Sequence, residues 1–193
     1  DANPQVVLNH LFSLTQLQVS YGIIMLTLVN GEPKILTLKQ VLEHYVRFQE
    51  EVIVRRTRYD LKKAQERAHI LEGLKIALDF IDEVIKILRA SKDQATGKQA
   101  LIDRFGLTEI QADAIVKMRL GQLTGLERTK IEEELAALKE KIKEFNEILA
   151  SEGKVLEIIK TEAMVIADKF GDERRTEIAA VSGEVDIEDL IPE

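Results

Sequence analysis

The longest uninterrupted helical pattern in the sequence runs from Leu38 to about Arg89, and it limits the possible folds more than any other feature. This stretch contains no Pro and a single Gly, and apolar residues recur along it in steps of three, four and seven. A helix of this length would span roughly 75 to 80 Å, which is longer than a small compact domain. Because helices are stabilised mainly by burying one apolar face, the sequence predicts a second long helix packed against this one.

A segment with matching spacing lies in the second half of the chain. The stretch IEEELAALKEKIKEFNEIL, positions 131–149, has apolar residues in alternating steps of four and three, which is the period of a coiled-coil seam. An interruption at SEGK is followed by a third amphipathic segment that continues to about Gly171. The outgoing and returning stretches therefore have similar lengths and predict an antiparallel hairpin, in which Ala64 and Ala68 would allow the backbones to approach closely.

The N-terminal half of the outgoing helix is predicted to pack through the same seam. Leu38, Tyr45, Val52 and Tyr59 follow one another in steps of seven. The dipeptide Arg58-Tyr59 also suits a tyrosine nucleophile. The place of Tyr59 in this heptad favours core packing instead.

Between the two arms lies the segment 91–126, which is too long for a hairpin loop and too apolar to be solvated. The sequence predicts a knob of short helices there, and Thr108 with Gln111 forms a capping-box pattern. The apolar residues of the knob exceed what so small a unit can bury, and an exposed apolar patch indicates a partner. These residues are Ile110, Ala114, Ile115, Met118 and Leu120.

Residues 18–36 contain two β-rich runs on either side of Asn30-Gly31, a dipeptide typical of tight hairpin turns. Two strands alone are only marginally stable in water, so a third strand or a covering helix is expected. Thr37 and Gln40 form a second capping-box pattern, which marks the start of the outgoing helix.

The composition excludes several classes of protein. The 193 residues include no Cys, which excludes disulfides, thiolate catalysis and Cys-based zinc sites and fits a reducing compartment. No apolar run approaches the roughly 18 residues of a membrane span, and the N-terminal stretch lacks the pattern of a signal peptide. A cytoplasmic protein that does not contact membranes is therefore expected.

Two motifs that could carry chemistry are better explained by structure. Gly97-Lys98 lacks the upstream Gly, the following Ser or Thr and the preceding strand of a phosphate-binding loop. His10, His44 and His69 lie too far apart for a metal pair or a catalytic triad and are expected to be solvated or to pack. The sequence thus predicts no metal site and no catalytic residue.

Basic residues are concentrated between Arg47 and Arg67, although the chain has a net charge of −7. The negative charge argues against tight wrapping of nucleic acid. A solvated face whose aliphatic stems cover the seam is the favoured interpretation. The alternative is a weakly positive wall along which a duplex passes, formed by Arg47, Arg55, Arg56, Lys62 and Lys63.

Four blocks in order resemble the A subunits of bacterial DNA gyrase and, less closely, of topoisomerase IV. These are LFSLTQLQVSYGIIMLTLVNGEPKILTL, RRTRYDLKKAQERAHILEGL, LTEIQADAIVKMRLGQLTGLE and FGDERRTEI, and the resemblance covers nearly the whole chain. In that family the DNA-cleaving tyrosine lies upstream in a winged-helix domain, in a context like Arg-Tyr-Thr-Glu. This chain has only Arg58-Tyr59-Asp60-Leu61, so no catalytic residue is carried over and an excised, inactive fragment is expected.

With this resemblance, the predicted fold is mainly α: a long antiparallel coiled-coil hairpin with a small helical knob at its tip and a short β segment at its base. The RRTEI stretch resembles a base strand and could supply the third strand that the hairpin lacks. The expected regions are the β-hairpin base at 1–36, the outgoing helix at 37–90, the knob at 91–125, the returning helices at 126–171, and the base strand with an acidic linker at 172–193.

The resemblance implies an exit gate, where two subunits meet through the knob and part to release a transported DNA duplex during ATP-dependent supercoiling. It also implies a bacterial nucleoid-associated complex with the gyrase B subunit. The whole enzyme would use Mg and ATP through other domains and that subunit. Gly73 and the break at Gly153 are candidate hinges. The implied dimer-interface residues are Ile110, Gln111, Ala114, Ile115, Met118, Arg119, Leu120 and Leu123.

Other assignments are the equivalent region of the topoisomerase IV A subunit, or a coiled-coil spacer with a helical tip in an unrelated machine. A spacer would not need β segments flanking both ends of the helical hairpin. An independent enzyme is disfavoured because the sequence shows no nucleophile, metal set or phosphate loop.

Overall fold

The computed structural model describes residues 3–119 and 125–178 and is mainly helical, which confirms the predicted fold class. The helices are α1 (Pro4–Leu14), α2 (Leu38–Asp79), α3 (Ile81–Ala90), α4 (Gln94–Phe105), α5 (Glu109–Val116), α6 (Gly125–Ala150) and α7 (Glu152–Phe170), and the strands are β1 (Leu26–Val29) and β2 (Glu32–Ile35). Two compact units are formed, one within 1–44 and 166–193 and the other within 45–165.

The predicted hairpin in the first unit is confirmed, although its strands are shorter than the β-rich runs. β1 and β2 pair antiparallel, with Leu26 opposite Ile35 and Val29 opposite Glu32. Asn30 and Gly31 join them with φ angles of 54° and 84°, as a tight two-residue hairpin turn requires.

The expected third strand is not found in residues 171–178, and the sheet in the described part of the chain has two strands. This segment bonds locally instead of to the hairpin. The Arg174 Nε donates to the backbone oxygen of Thr176 at 2.9 Å, and Arg175 lies 3.7 Å from the carboxylate of Asp172. Residues 175 and 176 form a bend.

Helix α1 was not predicted from the apolar pattern, but its first residues carry a recognisable signal. Asn3 caps it by accepting a hydrogen bond from the Gln5 backbone N–H at 3.0 Å, and Pro4 occupies the first helical turn. An Asn-Pro dipeptide in this position is a common helix start, because Pro lacks the N–H that would otherwise be unpaired there.

Helix α2 begins at the predicted capping box but ends earlier than expected. The Thr37 N–H donates to the Gln40 Oε1 at 2.9 Å, which starts the helix. The prediction of one helix to about Arg89 is wrong, because Phe80 leaves the helical conformation with φ −119° and ψ 36°. The Phe80 ring lies 5.7 Å from that of Phe105 on α4, so an aromatic contact is present at the break.

In the second unit, α2 and α6 pack against each other in antiparallel orientation. Their shared core contains Ala68, Leu71 and Leu135, flanked by half-buried Leu74, Ile131, Leu138 and Ile142. Arg56, in the first half of α2, pairs with Glu162 on α7, whereas Asp79, at the end of α2, pairs with Arg128 at the start of α6. Positions later in α2 thus pair with positions earlier in the returning helices. The seam predicted for α6 is therefore confirmed at its four N-terminal positions, and the close approach predicted at Ala68 agrees with its burial.

The seam on α2 differs from the predicted heptad. Tyr59 is 62% exposed and Tyr45 is 52% exposed, so their predicted core packing is wrong. Burial follows Ile53 rather than Val52, and a shift of one residue turns the packed face by about 100°. The buried residues of α2 are Ile53, Thr57, Ala64, Ala68, Leu71, Gly73, Ala77 and Leu78.

Helices α3, α4 and α5 form a second small core between the two arms. It is built from Ala77, Val84, Leu101, Leu107 and Ile115. Gly106 ends α4 with a φ of 66°, a conformation that costs little for glycine, and Thr108 then caps α5. Helices α4 and α5 confirm the short helices predicted from residue 91 onward, whereas α3 lies in the stretch predicted as the end of the outgoing helix.

Candidate functional site

Helix α5 has an inward and an outward row of side chains. Residues four apart lie on the same face of a helix, so Gln111 aligns with Ile115 and Ile110 aligns with Ala114. The inward row is filled, since Gln111 is 7% exposed and Ile115 is 2% exposed. Ile110 is 62% exposed, and Ala114 is half-buried. The outward row therefore places a large apolar side chain in solvent beside a completed core.

The structure divides the residues predicted for the dimer interface. Ile110, Ala114, Met118 and Arg119 retain exposed or half-buried surface. Gln111 and Ile115 are used inside their own chain, because the knob core closes over them. Leu120 and Leu123 lie outside the described residues.

Charges of both signs border the outward row. The Lys98 Nζ lies 3.1 Å from Asp113 and 3.7 Å from Glu109, and the Lys117 Nζ lies 2.6 Å from Asp113. The hydrogen bond from Lys117, followed by that from Lys98, holds the pKa of Asp113 below its ordinary value. Acidic and basic groups beside Ile110 permit a self-complementary contact between two copies.

A polar network ties α5 to α2. The Gln111 Nε2 donates to the backbone oxygen of His69 at 2.8 Å, and the His69 Nε2 lies 2.7 Å from the Thr108 Oγ1. Sequence reasoning predicted the capping box of Thr108 and Gln111, which is present. It missed the part played by His69, which was expected only to be solvated or to pack.

Gly73 gives α5 room to approach α2. A Cβ at this position would lie 2.7 Å from both Cβ and Cγ of Gln111, closer than real side chains come. The residue lies inside regular helix and serves close packing here. The steps of four from His69 to Gly73 and Ala77 are a sequence signal that could have revealed this second packed face of α2.

The five residues predicted to line a DNA passage are all exposed, but ion pairs with glutamates neutralise some of their charges more fully than others. Arg56 pairs with Glu162 at 2.6 Å, and Lys63 pairs with Glu66 at 3.1 Å. Arg55 has no ion-pair partner within residues 3–119 and 125–178. Arg55 and Lys62 are two turns apart on one face of α2, and we call this pair the basic stripe. The passage residues are Arg47, Arg55, Arg56, Lys62 and Lys63.

Gly97-Lys98 and the histidines were considered as phosphate-binding or metal-binding motifs in the sequence. Gly97 lies in α4, where an added Cβ would be 3.1 Å from Leu88, so this glycine serves packing. Across the described ranges, no group of three His, Cys, Asp or Glu residues could hold a metal ion. Within the same ranges, no helix is both long and apolar enough to cross a bilayer.

Comparison with known proteins gives one family. The family model for the A subunit of DNA gyrase/topoisomerase IV matches residues 1–164. The DNA gyrase A subunit of Clostridium acetobutylicum is 54% identical over 193 residues, which is 100% of this chain and 23% of that protein. Its counterpart in Staphylococcus epidermidis is 54% identical, and that in Staphylococcus aureus is 51% identical, each over 100% of this chain and 22% of the relative. The chain thus spans less than a quarter of the length of these relatives.

Proposed function

The chain belongs to the family of DNA gyrase/topoisomerase IV A subunits, and we propose that it forms the exit gate and supporting coiled coil of a gyrase A subunit. In this proposal two copies meet through the knob and hold the subunits together. The knobs part to release the transported DNA duplex during ATP-dependent supercoiling.

The exposed Ile110 carries this proposal. Ile110 is 62% exposed and forms an apolar patch with half-buried Ala114 and Met118, which suggests a surface that another molecule covers. The acidic and basic groups around this patch suit a two-fold contact. A gate must open as well as close, so a modest interface is expected rather than the several thousand Å² of many obligate dimers.

The basic stripe supports a weak role in passage of the duplex. Arg55 has no ion pair within the described residues, and Lys62 has only a long one, 4.0 Å from Glu66, so the two can attract phosphates transiently, while the net charge of −7 limits retention. The proposal assigns DNA cleavage, Mg and ATP to other parts of the enzyme and to the gyrase B subunit. It gives this region no catalytic residue.

The equivalent region of the topoisomerase IV A subunit is the second candidate, because the matching family model covers both enzymes. Gyrase is favoured because the three relatives named above are all DNA gyrase A subunits.

Ile110→Asp tests the interface. Burying a carboxylate in an apolar contact is unfavourable, so the dimer dissociation constant should rise at least about tenfold in sedimentation equilibrium. Val165→Asp is the matched control, because Val165 is 61% exposed on α7 and lies outside the knob. Ile115→Asp is not informative, since Ile115 is buried and the change would disrupt the knob itself. A monomeric wild type at high micromolar concentration, or equal effects of the two substitutions, contradicts the proposed gate.

A further inference from the structure

Gln111 makes more contacts than its capping box requires. Its Oε1 accepts a hydrogen bond from the Thr108 N–H at 3.0 Å, which closes the box. Its Nε2 donates to the His69 backbone oxygen at 2.8 Å and lies 3.4 Å from the His69 Nδ1. The side chain is shielded from water, so an unpaired group here would be costly.

Only one orientation of the Gln111 amide satisfies its neighbours. Exchanging its oxygen and nitrogen would set an oxygen against the His69 oxygen and an NH₂ group against the Thr108 N–H. A capping box accepts either Glu or Gln at this position, and a Glu carboxylate would still accept from Thr108. It would have no N–H for His69. The amide is therefore needed for the contact with α2 and not for the helix cap.

The His69 ring closes the network from the other side. When Nδ1 accepts from Gln111, Nε2 carries the proton and donates to the Thr108 Oγ1 at 2.7 Å. The same hydroxyl oxygen accepts from the Gln111 backbone N–H at 3.4 Å. Three side chains and one backbone carbonyl thus join helices that are about forty residues apart in sequence, and Gly73 supplies the space they need.

We propose that Gln111 is a positioning residue whose amide clamps α5 to α2, and we call Gln111, His69 and Thr108 the amide latch. The latch fixes the orientation of the outward row of Ile110 and Ala114 relative to α2. The knob and this part of α2 then move as one body. The consequence for the gate rests on the proposed function, whereas the latch itself is a contact within one chain.

Gln111→Glu removes the contact with α2 while keeping the cap acceptor. Backbone amides of α5 should exchange with deuterium roughly tenfold faster or more, because a buried donor is replaced by an oxygen that faces the His69 oxygen. The ¹⁵N resonances of the His69 ring should shift, since Nδ1 loses its donor. Amides at Val84 and Leu101 in the α3 and α4 core should keep wild-type exchange rates.

Gln40→Glu is the matched control. Gln40 caps α2 in the same way, with its Oε1 accepting from the Thr37 N–H at 2.9 Å. Its Nε2 makes no hydrogen bond within the described residues, and the side chain is exposed. The same substitution should therefore leave exchange at α2 and at α5 unchanged.

Gly73→Ala tests the latch without a charge change. Ala favours helix over Gly, so α2 gains intrinsic helix propensity, but the added Cβ displaces Gln111. Exchange in α5 should rise in this variant too. Wild-type amide exchange rates in α5 for both variants overturn the latch. An exchange rate at Leu101 that rises as much as in α5 also overturns it, because this would indicate general loss of the knob. A dimer constant that stays unchanged while α5 exchange rises contradicts the consequence of the latch for the gate and leaves the latch standing, whereas the gate itself is tested by Ile110→Asp.

Discussion

Two capping boxes of identical residue types show what a single residue pattern can and cannot predict. Thr37 with Gln40 and Thr108 with Gln111 were both recognised from the sequence, and both are present. The pattern depends on neighbours along the chain, so local sequence is sufficient to find it. The second partner of Gln111 lies on another helix, and no local pattern marks it.

The ion pair between Arg67 and Glu134 links α2 to α6. The Arg67 Nε and Nη2 atoms donate to the two carboxylate oxygens of Glu134 at 2.8 and 2.9 Å, a bidentate geometry. The hydrogen bond from Arg67 lowers the pKa of Glu134 from its ordinary 4.5, and burial opposes it only in part. The carboxylate form is therefore favoured in the folded state.

This ion pair should make the free energy of unfolding depend on pH. A carboxyl whose pKa is lowered on folding contributes stability above its unfolded pKa, and that contribution is lost as pH falls from about 4.5 through the folded value. Glu134→Gln should thus reduce the free energy of unfolding at pH 7 by no more than about 1 kcal/mol, because the pair is half-exposed, and the difference should vanish in acid. Urea unfolding across pH measures it. Glu133→Gln, one residue away on the exposed side of α6, is the control, and equal pH profiles for the two variants contradict the assignment.

At the scale of helices, α6 was predicted more accurately than α2. The apolar seam of α6 is narrow, and mostly charged residues surround it. Leu135, Leu138 and Ile142 therefore identify the packed face without ambiguity. Helix α2 packs on two faces, because Ala68 and Leu71 contact α6 while Gly73 and Ala77 face the knob. Apolar and small residues on both faces blur the heptad, which is why Tyr59 was assigned to the core.

The register of α2 can be tested by two truncations. Leu71→Ala should lower the free energy of unfolding by about 2 to 5 kcal/mol, because Leu71 is completely buried and its removal leaves a cavity. Tyr59→Ala should change it by no more than about 0.5 kcal/mol, because Tyr59 lies mainly in solvent. Urea unfolding followed by circular dichroism compares them, and a larger loss for Tyr59→Ala restores the heptad predicted from the sequence.

For the chain as a whole, acidic residues outnumber basic ones, and several basic residues of α2 are neutralised by ion pairs. The net charge is −7, and Arg56, Lys63 and Arg67 each pair with a glutamate. These three cations fit the interpretation of a solvated, paired face, and lining of a DNA passage by the remaining members stays a prediction. Arg56 stabilises the packing of α2 with α7, whereas Arg55 is directed to solvent.

Reversing the basic stripe tests its part in strand passage. If the chain acts in gyrase as proposed, Arg55→Glu combined with Lys62→Glu, tested in the full-length A subunit in complex with the gyrase B subunit, should slow DNA supercoiling several-fold. The effect should be larger at low salt, because exposed charges are screened within about 10 Å at 0.1 M ionic strength. Lys141→Glu combined with Lys143→Glu, an equal charge change at exposed positions of α6, should have little effect. Supercoiling that is unaltered by the double reversal favours a purely solvated face.

Periodicity and caps determined which segments of this chain are helices, where the hairpin turns and which face of α6 is apolar, because these features depend on residues within a few positions of one another. Tertiary structure alone decided the seam of α2, the break at Phe80 and the division of α5 into an inward and an outward row. Each of these depends on which helix lies opposite, and packing against a distant neighbour outweighs the small differences in local preference along a helix.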